Sequence, residues 1–176
     1  MSPTNSRALA YDAYFFDLGG TLVAIENDEI YRDAAGHVKL LDGVQTTVAT
    51  LHGTPIFVIT NQAGVALGYL TEREARGYVA QVNDCLGGVI TDYRLCMHHP
   101  NAACSCRKPR PGMVLDLARH YGIDLARAML VGDAESDARC AHAAGVGTFV
   151  WADAFFGRGK RLVLPKGSVW GVIRFF

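Results

Sequence analysis

The sequence predicts an α/β fold: an open, doubly wound parallel sheet with helices on both faces. Three observations predict it. Short β-branched or aromatic runs recur at residues 14–16, 55–60, 89–96, 128–131 and 147–150. Helix-like stretches separate most of them, the alternation that builds right-handed βαβ units. Polar or charged residues then stand at successive strand ends, where open α/β sheets bind their ligands.

Each element has a local reason. The run Ala13-Tyr14-Phe15-Phe16 closes on Asp17-Leu18-Gly19-Gly20-Thr21, a buried strand followed by a glycine turn. Residues 25–41 are polar and irregular and read as a loop over the sheet edge, followed by a short helix over 43–51. Pro55-Ile56-Phe57-Val58-Ile59-Thr60 is an apolar run of the kind parallel sheets bury on both faces. Thr71 and Glu74 have capping-box spacing and open a helix that runs to about residue 86, stopping at Gly87-Gly88. A strand follows over 89–96, then a cysteine–histidine loop. Pro111 sits where a first helical turn tolerates it, and the helix over 113–121 ends at Gly122. A strand over 128–131, a helix over 136–144 and a strand over 147–150 complete the pattern. Residues 1–176 read as one domain with its core at about 11–151; 152–176 read as an added edge strand or a docked tail.

Composition narrows the function. Seventeen Lys+Arg balance seventeen Asp+Glu, and half the residues are apolar. That excludes intrinsic disorder and argues against nucleic-acid or anionic-membrane binding, which need excess positive charge. No apolar run reaches the ~18 residues of a membrane span, and the first residues lack a signal peptide's apolar stretch. The expectation is a cytoplasmic monomer. Cys85 and Cys140 stand alone in helical stretches and are expected to be small buried side chains. Cys96, Cys104 and Cys106 crowd together with His98 and His99, which suits metal ligation better than disulfides.

At the strand ends stand Asp17, Thr60 with Asn61, Lys108 and Asp133. Any one of them alone would read as a helix cap or turn residue. Together, two carboxylates, a hydroxyl and an ammonium form a site for a phosphoryl group and Mg²⁺. One carboxylate can also serve as a nucleophile.

Four segments carry a family resemblance: FFDLGGTL, VITNQAGVALGYLTE, CRKPRPGM and VGDAESDARCAHAAG. In order they resemble the four motifs of the haloacid dehalogenase (HAD) superfamily. The pattern TNQ-x-G-V-x-x-GY with C-x-H-H-P…C-x-C-RKP-x-PGM is similar to the D,D-heptose 1,7-bisphosphate phosphatases and histidinol-phosphate phosphatase domains. The resemblance implies a phosphatase acting on a small phosphorylated metabolite. Asp17 would be nucleophile and Mg²⁺ ligand, with the Gly19 carbonyl and Asp133 as further ligands. Thr60 and Asn61 would contact the phosphoryl group and Lys108 would neutralise the aspartyl-phosphate. Asp137 would orient Lys108 or the water around the metal. Arg107 or Arg110 would hold a second anionic group.

Cys96-x-His98 and Cys104-x-Cys106 supply three thiolates and an imidazole, a set that suits structural Zn²⁺. The alternative, three free surface thiols, leaves the loop without a means of holding its shape. On the family pattern His98 is the ligand and His99 lies outside. Four protein ligands leave no position for water, so such a zinc would act only by fixing where Arg107 and Lys108 point.

The chain departs from the family in three places. The family carries D-x-D-G-T, but here the second Asp is Gly19. In the family that residue protonates the leaving oxygen and then activates water. Leu67 stands where the family often has Arg, and residues 24–36 match the heptose enzymes poorly. Three readings follow: a slow or unusual metabolite phosphatase, a scaffold that binds a phosphorylated ligand or protein partner without turnover, or an enzyme using a long-lived aspartyl-phosphate for transfer. The spans between the motifs leave no room for a large cap domain. The site should be open, walled by residues 24–36 and the zinc loop.

Overall fold

The computed structural model describes residues 11–158 and the backbone of 172–174. In chain order the strands are β1 (Ala13–Phe16), β2 (Ile25–Glu26), β3 (Glu29–Ile30), β4 (Ile56–Asn61), β5 (Asp92–Cys96), β6 (Ala128–Gly132), β7 (Thr148–Trp151) and β8 (Val172–Arg174). The helices are α1 (Val44–Val48), α2 (Glu72–Cys85), α3 (Gly112–Tyr121), α4 (Glu135–Ala144) and α5 (Ala152–Phe155). The main sheet runs β5-β4-β1-β6-β7-β8. Its first five strands are mutually parallel, and β8 pairs antiparallel with β7.

The parallel strands are nearly continuous apolar runs because both faces are covered. On one face Phe16, Val58 and Val131 pack with Val44 and Val48 of α1 and Val79 and Val82 of α2. On the other, Phe15, Phe57 and Ile59 pack with Val114 and Leu117 of α3 and Cys140 of α4. The rings of Phe15 and Phe57 lie 5.2 Å apart on adjacent strands. This is the doubly wound sheet that the sequence predicts.

Several local expectations need correction. Within residues 25–41, taken as loop, β2 and β3 form a hairpin with register Ile25↔Ile30 and Glu26↔Glu29. Its two-residue turn, Asn27-Asp28, has φ of 51° and 64°. Asn and Asp tolerate that left-handed conformation, and it is the one a tight hairpin needs. Cys85 is exposed as the last residue of α2, beyond the buried Ala75, Tyr78, Val79 and Val82. Cys140 is buried as expected.

The strand expected over 89–96 begins only at Asp92, and the helix over 43–51 contracts to α1. Beyond Trp151, α5 brings Phe155 and Phe156 onto the sheet, with ring centroids 5.7 and 6.0 Å from that of Phe16. The β8 backbone supplies an added edge strand; residues 159–171 and 175–176 of the expected 152–176 tail, like residues 1–10, lie outside the described residues.

The predicted capping box on α2 is formed: Glu74 N–H donates to Thr71 Oγ1 (3.2 Å), and Thr71 N–H donates to Glu74 Oε2 (2.6 Å). Thr71→Ala removes one half of it and should cost about 1 kcal/mol. The expected readout is a thermal midpoint lower by roughly 2–4 °C with an unchanged denaturant m-value.

Candidate active site

Strand register sets the site. Phe16 is level with Val58 on β4 and Val131 on β6. The next residues, Asp17, Ile59-Thr60 and Gly132-Asp133, therefore emerge together at the carboxyl edge. The order of the chain reverses about β1, which makes this the switch point of the sheet. Asp17 N–H donates to Val131 O at 3.0 Å and fixes the start of the turn.

Lys108 reaches this edge from the loop between β5 and α3 and is 5 % exposed. Its Nζ meets Asp17 Oδ1 at 2.5 Å, Asp137 Oδ1 at 2.6 Å and Ile59 O at 3.2 Å. Asp17 Oδ1 and Ile59 O accept hydrogen bonds from the ammonium, and Asp137 Oδ1 faces it as an ion pair. Burial by itself would lower the lysine pKa, but the carboxylates of Asp17 and Asp137 more than reverse this, and Lys108 stays charged. Burial is also the largest influence on Asp17, lifting it to about 7. There Lys108 pulls the pKa down and Asp137 pushes it further up. Asp137 is itself fixed by the Ala134 N–H, which donates to Oδ2 at 3.1 Å.

Asp133 is the solvent-facing carboxylate of the group. Thr21 Oγ1 donates to its Oδ1 at 3.2 Å. Gly20 has φ 75°, and a Cβ there would lie 2.2 Å from Asp133 Oδ2. Both the backbone conformation and the space demand glycine. Carboxylate oxygens of Asp17, Asp133 and Asp137 lie within 4.8 Å of one another, a set that could hold a hard divalent cation.

The remaining candidates divide. Thr60 is buried, and its hydroxyl accepts from Gln62 Nε2 at 3.1 Å, which leaves the hydroxyl proton free to point elsewhere. The Asn61 amide bonds to the Lys108 backbone on both sides, donating to O at 3.1 Å and accepting from N–H at 3.0 Å. Its side chain clamps Lys108 rather than standing open. Arg107 has a buried Nη1 with no hydrogen-bond partner. Arg110 donates to Ala102 O at 3.1 Å and Cys104 O at 2.5 Å, so it laces the cysteine loop.

Three contributors went unassigned in the sequence. Thr21 and Gln62 lie inside the motif segments themselves, where a reading of their hydroxyl and amide could have found them. Arg158 has no sequence signal: its Nη2 donates to Thr21 O at 3.1 Å from a stretch without periodicity.

The cysteine loop begins at the end of β5. Cys96 Sγ lies 3.6 Å from His98 Nδ1 and 3.7 Å from Cys104 Sγ, and Cys106 Sγ lies 3.2 Å from His98 Nδ1. A tetrahedral zinc with ~2.3 Å sulfur and ~2.0 Å nitrogen arms has ligand–ligand edges of about 3.5–3.8 Å, so the donor set fits. Sulfurs 3.7 Å apart are too far for a disulfide, and all five cysteines are free. Clustered thiols oppose each other's ionisation: burial, then Cys96 and Cys104, push Cys106 up to about 12. Cys104 is pushed up by burial, but hydrogen bonds from Arg107 N–H and its neighbours outweigh this and hold it near 6. His99 Nδ1 instead accepts from Asn101 N–H and shapes the turn.

Comparison with known proteins agrees with this geometry. The HAD-hydrolase-like family model matches residues 105–159. A D-glycero-beta-D-manno-heptose-1,7-bisphosphate 7-phosphatase of Rhodopseudomonas palustris is 35 % identical over 149 residues, covering 78 % of this chain and 81 % of that protein. The Escherichia coli K12 protein of the same name is 34 % identical over 155 residues, with 81 % and 80 % coverage. This chain belongs to the HAD phosphatases.

Among solved structures, the D,D-heptose 1,7-bisphosphate phosphatase from B. bronchiseptica, complexed with magnesium and phosphate, is similar at TM-score 0.69 and 27 % identity. That similarity spans 89 % of this chain and 90 % of the other. A HAD-like phosphatase from Mesorhizobium loti gives TM-score 0.68 at 28 % identity, covering 80 % of this chain and 70 % of that one. As a HAD phosphatase, the chain is by class a phosphoric monoester hydrolase. Gly19 lies on the turn closed by Leu22 and Val23 N–H donating to Leu18 O. Gly19, unlike Gly20, does not occupy the left-handed region.

The ion-pair chain yields a prediction. Lys108→Met leaves two buried carboxylates without their cation and should destabilise the fold by about 3–5 kcal/mol near neutral pH. Asp17 then loses the charge that pulls it down, so its folded pKa rises further above the unfolded value. Stability of the variant should be greatest below about pH 4, where the carboxyl is protonated in both states, and fall as pH rises through 7 and beyond. Denaturation midpoints measured across pH for both proteins check the sign.

Proposed function

We propose that this HAD phosphatase is Mg²⁺-dependent and removes phosphate from a small sugar or other metabolite through an aspartyl-phosphate on Asp17. The observation that carries this reading is the buried Asp17–Lys108–Asp137 chain beside Asp133. Asp17 is a desolvated carboxylate held at the open edge of the sheet, and Lys108 holds positive charge where negative charge accumulates as phosphoryl oxygens arrive. Asp137 positions Lys108. Thr60, its hydroxyl oriented by Gln62, donates to a phosphoryl oxygen. Asn61 acts through the Lys108 backbone it clamps, and Arg107, with its unpartnered Nη1, receives a second anionic group.

Asp17, the Gly19 carbonyl and Asp133 would hold Mg²⁺, which when bound neutralises phosphoryl charge. Cys96, His98, Cys104 and Cys106 would hold a structural Zn²⁺ that orders the segment carrying Arg107 and Lys108. The relatives are named for a heptose bisphosphate, so sugar bisphosphates are the first substrates to test. Gly19 favours a second reading, a scaffold that binds a phosphorylated ligand or protein partner without turnover.

Fluoroberyllate with Mg²⁺ should form a stable adduct on Asp17, and Asp17→Asn should abolish both adduct and phosphate release. Unchanged release by the variant refutes the assignment. Asp133→Ala should weaken Mg²⁺ binding in a calorimetric titration. Elemental analysis should find one zinc per chain, with Cys96, Cys104 and Cys106 protected from thiol reagents until a chelator is added. Zinc-free protein with freely titrating thiols overturns the zinc site.

A further inference from the structure

Among the described residues, the surroundings of Asp17 contain no group able to hand a proton to a departing oxygen. Lys108 commits its ammonium to Asp17, Asp137 and Ile59 O. Asp137 is buried against Lys108 and the Ala134 N–H. Asp133 accepts from Thr21 at the solvent edge and belongs to the cation set. Above the turn, a Cβ on Gly19 would meet Ile25 Cγ2 at 3.0 Å and Ile30 Cγ1 at 3.8 Å. The hairpin thus presents two apolar side chains to this position. Its carboxylates, Glu26 and Glu29, are paired across the strands on the alternate face.

A leaving oxygen here departs with its electron pair and without a proton from the protein. The basicity of that oxygen then decides the rate. A carboxylate (conjugate acid ~4) or a phosphate (~6) leaves readily, a phenolate (~10) less so, and a sugar alkoxide approaches the basicity of hydroxide (~16). We propose that the substrates of this site are phosphoryl compounds with weakly basic leaving groups, acyl phosphates foremost, rather than alkyl phosphate esters. The proposal rests on the aspartyl-phosphate reading of Asp17 and adds the leaving-group class to it.

For an acyl phosphate the atoms balance without an acid. An Asp17 oxygen forms a bond to phosphorus, the bond from phosphorus to the acyl oxygen breaks, and the carboxylate leaves with the electron pair. Water then attacks the phosphorus of the aspartyl-phosphate. The P–O bond to Asp17 breaks, Asp17 recovers its carboxylate, and the water proton leaves with the phosphate. No base among the described residues faces that water either, so the phosphoenzyme accumulates in the steady state. Acyl product is released in a burst ahead of inorganic phosphate.

The test uses the full chain supplied with Mg²⁺ and Zn²⁺, and three probe classes: acetyl phosphate, aryl phosphates of graded phenol acidity, and fructose 1,6-bisphosphate. The expected kcat/KM falls steeply with leaving-group basicity, with acetyl phosphate at least ~10²-fold above the sugar phosphate, and acetyl phosphate phosphorylates Asp17. Gly19→Asp keeps an ordinary backbone conformation and requires Ile25, whose Cγ2 would lie 3.0 Å from the new Cβ, to shift. It should flatten the dependence, raising the sugar phosphate by about 10²-fold or more and acetyl phosphate far less. A flat dependence in the unmodified chain, with Asp17 still phosphorylated, overturns the leaving-group proposal and leaves the phosphatase reading standing. Absence of Asp17 phosphorylation by every probe overturns both.

Discussion

Two carboxylates sharing one buried ammonium organise this molecule. Asp17 comes from the end of β1 and Asp137 from the first turn of α4, and both carboxylates lie against the buried Lys108 ammonium. With Asp133 added, three carboxylates face one cation, and the site keeps a formal charge of −2. The imbalance accounts for the site's capacity for a divalent cation. It also explains why so much of the surrounding structure serves to hold one lysine.

That holding comes from several directions. The Asn61 amide grips the Lys108 peptide from β4, and the Ile59 carbonyl accepts from its ammonium. Two residues upstream, Cys106 is one of four ligand side chains gathered at the end of β5. Arg110 ties the same loop back through its carbonyls, and Gln62 N–H donates to Cys96 O, joining the phosphoryl side of the site to the cysteine cluster. An ordered cysteine loop is therefore a condition for the ion-pair chain.

Gly19 separates binding from proton transfer. Its carbonyl and backbone remain available at the turn, but the side-chain position is roofed by Ile25 and Ile30. The polar strand ends stay at the sheet edge, while Ile25 and Ile30 pack over the Gly19 position.

The sequence by itself determined the sheet, the order of its polar strand ends, the capping box on α2 and the ligand types of the cysteine loop. These follow from local periodicity and short spacings, which a linear reading detects directly. The β2–β3 hairpin was missed because its strands are two residues each and its signal, Asn27-Asp28, is a turn without long flanking runs. Only the tertiary structure decided that Asn61 clamps Lys108, that Arg107 has a buried nitrogen without a partner while Arg110 laces the cysteine loop, and that Arg158 reaches back to Thr21. Each of these contacts joins residues brought together by loop closure or strand register. A side chain's partner over such distances depends on how the whole chain packs, which local propensity does not encode.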